Sequence, residues 1–122
     1  MKLHEYQAKQ LLAGAGIPVP SGRAAQTPDD ARAAYAALQR EGGNAPGWRC
    51  AVKAQLHAGG RGKAGGVLTA ASAAEAKVHA AGLLGRTLRT AQTGPDGLPV
   101  SAVLLEEHID VATELYLAMT ID

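Results

Sequence analysis

A glycine-rich segment between two predicted strands places the strongest constraint on the fold of this 122-residue chain. It reads KAQLHAGGRGKAGGV and carries five glycines and three cations, namely Lys53, Arg61 and Lys63. Each glycine costs about 1 kcal/mol relative to alanine inside a helix, so the segment is predicted to be a loop. Strand patterns flank it at 48–54 and 66–71. Because this connection is too short for a parallel crossover, the two strands are predicted to form an antiparallel hairpin.

The rest of the chain reads as short helices and strands. Helices are predicted at about 4–15, 28–40 and 73–84 from apolar spacing and from capping residues at their starts. Further strands are predicted at 23–26, 87–92, 100–107 and 115–121, with a turn at GPDGLP. The first helix carries Ala8, Leu11, Leu12 and Ala15 on one face. The fold class is therefore predicted to be α+β, a mostly antiparallel sheet with packed helices.

Composition narrows the classes of function. The net charge is +1, so no global field attracts nucleic acid or a membrane surface. No apolar run reaches the 18 residues of a bilayer span, and the N-terminus lacks the apolar core of a secretion signal. The one cysteine, Cys50, alternates with apolar residues and is predicted to be a buried small hydrophobe. A single cysteine suits a reducing compartment, so a cytoplasmic protein is expected.

The glycine loop matches G-x-G-x-x-G at 60–65, but its neighbours exclude three familiar sites. A dinucleotide site needs a helix directly after the loop, and here a strand pattern follows. A Walker loop needs Ser or Thr after its lysine, and Ala64 follows Lys63. A protein kinase needs its phosphate lysine on the strand after the loop, whereas Lys53 precedes it. Backbone N–H groups over phosphates and a surface hairpin with solvated cations both remain open.

Four separated motifs, in order, resemble the β subunit of succinyl-CoA synthetase. They are LHEYQAKQLL at the start, VKAQLHAGGRGKAGGV at 52–67, QTGPDGLPV at 92–100 and ELYL at 114–117. The resemblance runs nearly end to end and implies an ATP-grasp fold, in which two lobes hold a nucleotide. It implies an N-terminal helix and connector at 1–22 and an incomplete nucleotide-binding small lobe at 23–122. The chain is thus expected to be cut before the larger lobe.

The resemblance implies phosphate contacts on the hairpin. Lys53 matches the family lysine that contacts nucleotide phosphates. Gly60, Arg61 and Gly62 match the glycine-arginine-glycine segment of the flexible phosphate loop. The chemistry agrees, because glycines permit a close approach, a lysine supplies a point charge and an arginine supplies a fork of donors. The loop is accordingly expected to be a flap over the phosphates, with Arg61 at its tip.

The resemblance also implies contacts to the rest of the nucleotide. Glu106 matches the acid at the end of the strand that reaches the interlobe hinge, beside the purine. Ile109 occupies a hinge position that holds a smaller, polar residue in relatives. Glu114 matches the acid that receives the ribose hydroxyls, and a carboxylate can accept both hydroxyl protons. No catalytic residue and no metal ligand is assigned in this segment.

The implied reaction couples ATP or GTP cleavage to the reversible formation of succinyl-CoA from succinate and CoA, a step of the tricarboxylic acid cycle. In the family a phosphohistidine on the α subunit carries the phosphoryl group, so the expected partner is that subunit, in a heterodimer or heterotetramer. Magnesium is expected, with ligands beyond Asp122. The parent is thus expected to be an acid–CoA ligase, and the segment alone is expected to be inactive.

Three other functions compete with this one. The β subunit of malate–CoA ligase shares the same loop, and the acyl pocket lies outside the segment. A stand-alone phosphate- or nucleotide-binding module would have no ligase activity. A purely structural interaction domain would bind no nucleotide.

Overall fold

The computed structural model describes residues 2–42 and 45–121, and that part of the chain holds three helices and six strands. The helices are α1 (Glu5–Gly14), α2 (Pro28–Gly42) and α3 (Ala73–Leu83). The strands are β1 (Gly22–Ala25), β2 (Cys50–Gln55), β3 (Val67–Ala70), β4 (Thr87–Leu88), β5 (Leu98–Pro99) and β6 (Ala102–Glu107). None of the helices in these ranges is both long and apolar enough to cross a bilayer.

The main sheet has four antiparallel strands in the order β1-β6-β2-β3. The predicted hairpin is confirmed, since β2 pairs with β3 from Cys50↔Ala70 to Lys53↔Val67. Strand β6 comes last in the chain but lies between β1 and β2, and it pairs with both. This central position explains why β6 is an almost uninterrupted apolar run that is buried from Ala102 to Glu106.

One face of the sheet carries the hydrophobic core. Alternate residues of β2, Cys50, Val52 and Ala54, are fully buried, as the period-two pattern predicts. Helices α2 and α3 pack against each other and against this face, and they bury mainly alanine and leucine. Tyr35 of α2 adds one aromatic ring, which meets Trp48 edge to face with 5.2 Å between the ring centroids. The chain has no phenylalanine, and these small side chains allow α2 and α3 to pack closely together.

The helix ends follow the predicted capping chemistry. Ser72 accepts a hydrogen bond from the Glu75 backbone N–H at 3.1 Å, and Glu75 accepts one from the Ala71 N–H at 2.7 Å. At the end of α1, Gly16 takes a φ of +80°. The N–H of Ile17 then reaches the Leu12 carbonyl at 3.0 Å, which completes a Schellman-type termination.

The first helix has the predicted bounds but an unexpected orientation. No residue of α1 is buried, and Leu11 and Leu12 of its apolar face are 64% and 42% exposed. The helix instead directs polar atoms at the sheet, beginning with the Tyr6 N–H, which donates to the Gln55 side chain at 3.0 Å. Apolar spacing predicted the helix correctly and did not predict which face meets the sheet.

The predicted strand at 115–121 is wrong. Residues 108–121 form no regular structure, and Leu115, Tyr116, Leu117, Met119 and Ile121 are 91–98% exposed. Period-two apolar patterning stabilises a strand only where a partner strand supplies hydrogen bonds and a face to bury. Among the described strands, none pairs with this segment.

The strand predicted at 87–92 is shorter than expected. Only Thr87 and Leu88 pair, with β5, a strand that lies inside the segment predicted to be a turn. Residues 90–93 form a turn, which the Thr90 N–H closes by donating to the Thr93 hydroxyl at 3.0 Å. Gly97 makes the pairing possible, because a Cβ there would lie 2.6 Å from the Leu88 carbonyl oxygen.

Tyr35 provides a test of the core. Its ring is 1% exposed, and its hydroxyl has no hydrogen-bond partner within the described residues. An unpaired buried hydroxyl costs about 1–3 kcal/mol, so Tyr35→Phe is expected to leave stability unchanged or raise it by about 1 kcal/mol. Tyr35→Ala is expected to lower it by about 3–5 kcal/mol through the cavity. Urea denaturation of both variants checks this, and a Tyr35→Phe loss as large as that of Tyr35→Ala would contradict it.

Candidate functional site

The sheet face opposite the core carries five ionic side chains in mutual contact. Glu5 and Lys9 come from α1, Lys53 from β2, Arg61 from the glycine loop and Glu106 from β6; we call them the charged cluster. Lys9 Nζ lies 2.7 Å from Glu106 Oε2 and 3.0 Å from Glu5 Oε1. Lys53 also pairs with both carboxylates, with its Nζ 3.1 Å from Glu5 Oε1. Arg61 Nη2 lies 2.7 Å from Glu5 Oε2.

Strand register brings Lys53 and Glu106 together. Glu106 lies opposite Ala51 and Lys53 lies opposite Leu104, so the two charged residues are diagonal neighbours on one face. The same alternation that buries Cys50 and Val52 in the core turns Lys53 to the other face, as predicted. Helix α1 then covers that face and reduces the exposed fraction of the Lys53 side chain to 21%.

Burial makes the cluster electrostatically strong. The Glu106 side chain is only 5% exposed, and a carboxylate in that position needs paired cations. Burial alone would raise the pKa of Glu5, but the Lys9 hydrogen bond and the Arg61 and Lys53 charges outweigh it and lower that pKa to about 2. Burial likewise opposes the charged form of Lys9, yet its hydrogen bonds to Glu106 and Glu5 raise its pKa. Three cations against two carboxylates leave the cluster with one excess positive charge.

The glycine loop folds back on its own strand. Arg61 Nη1 donates to the Ala54 carbonyl at 2.9 Å, and the Gly66 N–H donates to the Arg61 carbonyl at 2.8 Å. Gly60 turns the chain with a φ of +82°, a conformation that favours glycine. The Arg61 side chain is therefore directed at β2 and α1, although Arg61 itself lies midway along the loop between β2 and β3.

Two of the grooves at this part of the surface are lined by predicted site residues. The larger, of about 920 Å³, separates the glycine loop from residues 89–92, and its lining includes Glu5 and Arg61. Across it, the Gly59 N–H donates to the Gln92 side-chain oxygen at 3.0 Å. The smaller, of about 350 Å³, is lined by Lys53, Glu106 and Ile109, among others. Glu5 thus borders one groove while it contacts the lysine that lines the other.

The predicted residues are brought together only in part. Lys53, Glu106 and Ile109 line the smaller groove, and the segment 60–62 lines the larger one. Glu114 lies on the exposed segment after β6 and lines neither groove, so its proposed contact with ribose stays a prediction.

Sequence reasoning missed Glu5, Lys9 and Gln92. The signal for the first two was present, because acid and lysine at i and i+4 mark one helix face, and that pair is 3.0 Å apart. The apolar spacing of the same helix pointed instead to the adjoining face, which carries Ala8, Leu11 and Ala15. Gln92 carried no such signal, since its contact with Gly59 depends on tertiary structure. The Cys50 prediction is confirmed, and burial raises the pKa of this thiol to about 12.

Within residues 2–42 and 45–121, no group of three or more His, Cys, Asp or Glu side chains lies close enough together to hold a metal ion. His57, near the loop, stacks on His4 with ring centroids 4.0 Å apart. The charged cluster itself suits anions, because a guanidinium fork and two ammonium groups surround a single small region.

Comparison with known proteins decides the family, because the ATP-grasp domain matches residues 2–122. The chain belongs to the ATP-grasp family. The predicted α+β class with an antiparallel sheet is confirmed for this ATP-grasp domain. The glycine hairpin and the charged cluster both lie within the matched residues.

Relatives of this ATP-grasp domain are β subunits of one kind of ligase. The chain is similar over its whole length to succinate–CoA ligase (ADP-forming) subunit beta of Anaeromyxobacter sp. (strain K), at 53% identity. Identity is 48% to the protein of the same name from Geobacillus thermodenitrificans and 47% to that from Geobacter sulfurreducens. The chain spans about 30% of the length of each of these relatives.

The ionisation of Glu5 predicts an acid dependence of stability. Its folded pKa of about 2 lies below the ordinary value of 4.5, so the unfolded chain binds the proton first as pH falls. The stabilisation is therefore complete above about pH 4.5 and is lost as pH falls through 2. Urea unfolding at pH 6 and at pH 2.5 should show that the stability gap between wild type and Glu5→Gln narrows in acid. A gap that stays constant with pH would contradict this.

Proposed function

We propose that this ATP-grasp domain is the nucleotide-binding small-lobe segment of a succinate–CoA ligase β subunit. The observation that carries the proposal is the placement of Lys53 on β2 directly before a glycine hairpin whose arginine returns to the same strand. Two cations from one hairpin fit the polyphosphate of a nucleotide, with Arg61 lining the groove of about 920 Å³ and Lys53 the neighbouring groove of about 350 Å³. Residues 1–22 are proposed to be a helix and connector, and 23–122 the incomplete lobe.

The proposed contacts divide by the chemistry of each group. Lys53 and Arg61 neutralise phosphate oxygens, and the backbone around Gly60 and Gly62 approaches them closely. Glu106 and Ile109 lie by the purine, and Glu114 receives the ribose hydroxyls. Magnesium is proposed to bind ligands beyond Asp122, where it would offset phosphate charge.

The proposed reaction of the whole protein is the reversible formation of succinyl-CoA, with nucleotide cleavage coupled through a phosphohistidine on an α subunit. The names of the similar proteins support succinate, and they favour adenine nucleotides over guanine. They do not favour the malate–CoA alternative. A cytoplasmic site for this reaction is also proposed, since the buried free thiol of Cys50 suits a reducing compartment.

Substituting Lys53 tests the phosphate contact. In the full-length protein with its partner subunit, Lys53→Ala is expected to weaken ADP binding at least tenfold, or about 1.4 kcal/mol, because a point charge on phosphate is lost. Lys77→Ala is the matched control, since Lys77 pairs with Asp29 on an exposed helix surface. Calorimetric titration with ADP gives the affinities, and equal binding by Lys53→Ala and wild type would contradict the proposal.

The same preparation separates the remaining alternatives. Thioester formation with succinate but not with malate supports the succinate ligase, and the reverse result supports the malate ligase. Nucleotide binding without either activity would favour a binding module, and no nucleotide binding would favour a structural domain.

A further inference from the structure

We propose that Glu5 is an internal competitor of the nucleotide phosphates for Lys53 and Arg61. The inference rests on the proposed function, because it concerns the same two cations. It adds a residue from the N-terminal helix to the nucleotide site and gives that residue the role of setting phosphate affinity.

The geometry of Glu5 supports this role directly. Its carboxylate spans the two proposed phosphate ligands, with Oε1 3.1 Å from Lys53 Nζ and Oε2 2.7 Å from Arg61 Nη2. Carboxylate and phosphate oxygens occupy the same position relative to a guanidinium fork and an ammonium group. A phosphate that binds both cations must therefore take over the contacts that Glu5 makes.

The charges of the cluster favour exchange rather than joint binding. A phosphate group beside an ionised Glu5 would place like charges a few ångströms apart, at a partly buried site where screening is weak. The second carboxylate does not need Glu5, since Glu106 keeps Lys9 at 2.7 Å together with Lys53. A phosphate can thus replace Glu5 on Lys53 and Arg61, and the buried Glu106 still keeps its partner Lys9.

The attachment of α1 permits Glu5 to withdraw. No residue of the helix is buried, and the contacts of Glu5 and Lys9 with the sheet face are ionic, apart from a hydrogen bond of 3.5 Å that Gln55 Nε2 donates to Glu5 Oε2. The Glu5 side chain is 19% exposed and lines the larger groove. A rotation of this side chain, or a small shift of α1, moves the carboxylate without opening the core on the other face.

The experiment uses the full-length protein with its partner subunit and three probes: ADP, pyrophosphate and adenosine. Glu5→Gln keeps the size and the hydrogen-bonding oxygen but removes the charge. It is expected to bind ADP and pyrophosphate about three- to tenfold more tightly than wild type and adenosine equally well. Glu5→Asp, with a shorter reach, is expected to lie between the two. Glu41→Gln is the matched control, because Glu41 on α2 pairs with Arg23 of β1, and both side chains are exposed.

The outcomes distinguish this inference from the function on which it rests. Weaker or unchanged binding of ADP by Glu5→Gln, while wild type binds and Lys53→Ala does not, overturns the competitor role and leaves the proposed function standing. Weaker binding would show that Glu5 positions the two cations instead, and unchanged binding would show that it does not affect phosphate affinity. Equal tightening of adenosine would indicate general loosening of the lobe and also overturns it. Failure of every protein to bind ADP and pyrophosphate overturns both proposals.

Discussion

The arrangement of residues on the sheet face opposite the core depends on the buried charge of Glu106. β6 lies at the centre of the sheet, so its last buried residue brings a carboxylate to a place with little water. An unpaired carboxylate there would cost several kcal/mol, and one lysine from the neighbouring strand does not cover both oxygens. Lys9 supplies the second contact, at 2.7 Å, and it can do so only if α1 lies on this face. The position of the first helix is thus set by a buried charge.

This requirement explains why the hydropathy of α1 disagrees with its orientation. Lys9 cannot face the sheet while Leu11 does, since at about 100° per residue the two lie on different sides of the helix. Glu5 precedes Lys9 by one turn and therefore also faces the sheet, where it forms ion pairs with Lys53 and Arg61. Leu11 is consequently 64% exposed. Ionic contacts of this kind hold a helix more loosely than a buried apolar face would, because burial provides most helix stabilisation in proteins.

The sequence predicted local features well and tertiary ones unevenly. The hairpin, the Ser72 cap and the glycine termination of α1 were predictable because each depends on a few neighbouring residues. The strand at 115–121 was not, because alternation cannot show whether a partner strand exists. Strand alternation alone predicted the sheet face on which Lys53 lies. Its contact with Glu5, 48 residues away, could be seen only in the fold. Of the site residues implied by resemblance, Glu114 lies in a segment without regular structure and lines neither groove, and no local pattern shows where such a segment will lie.

Lys53 precedes the glycine loop in the chain, and this order limits the kind of anion site that the hairpin can form. In sites where a glycine loop leads into a helix, the helix N-terminus supplies backbone donors and a partial positive charge. Here the loop leads into β3, and the positive charge comes from Lys53 and Arg61, whose full charges need a counterion of their own. Arg61 is tied to the Ala54 carbonyl, one residue after Lys53, so the hairpin holds both cations at one point. A site built from paired side-chain cations therefore calls for an internal carboxylate, and Glu5 meets that need.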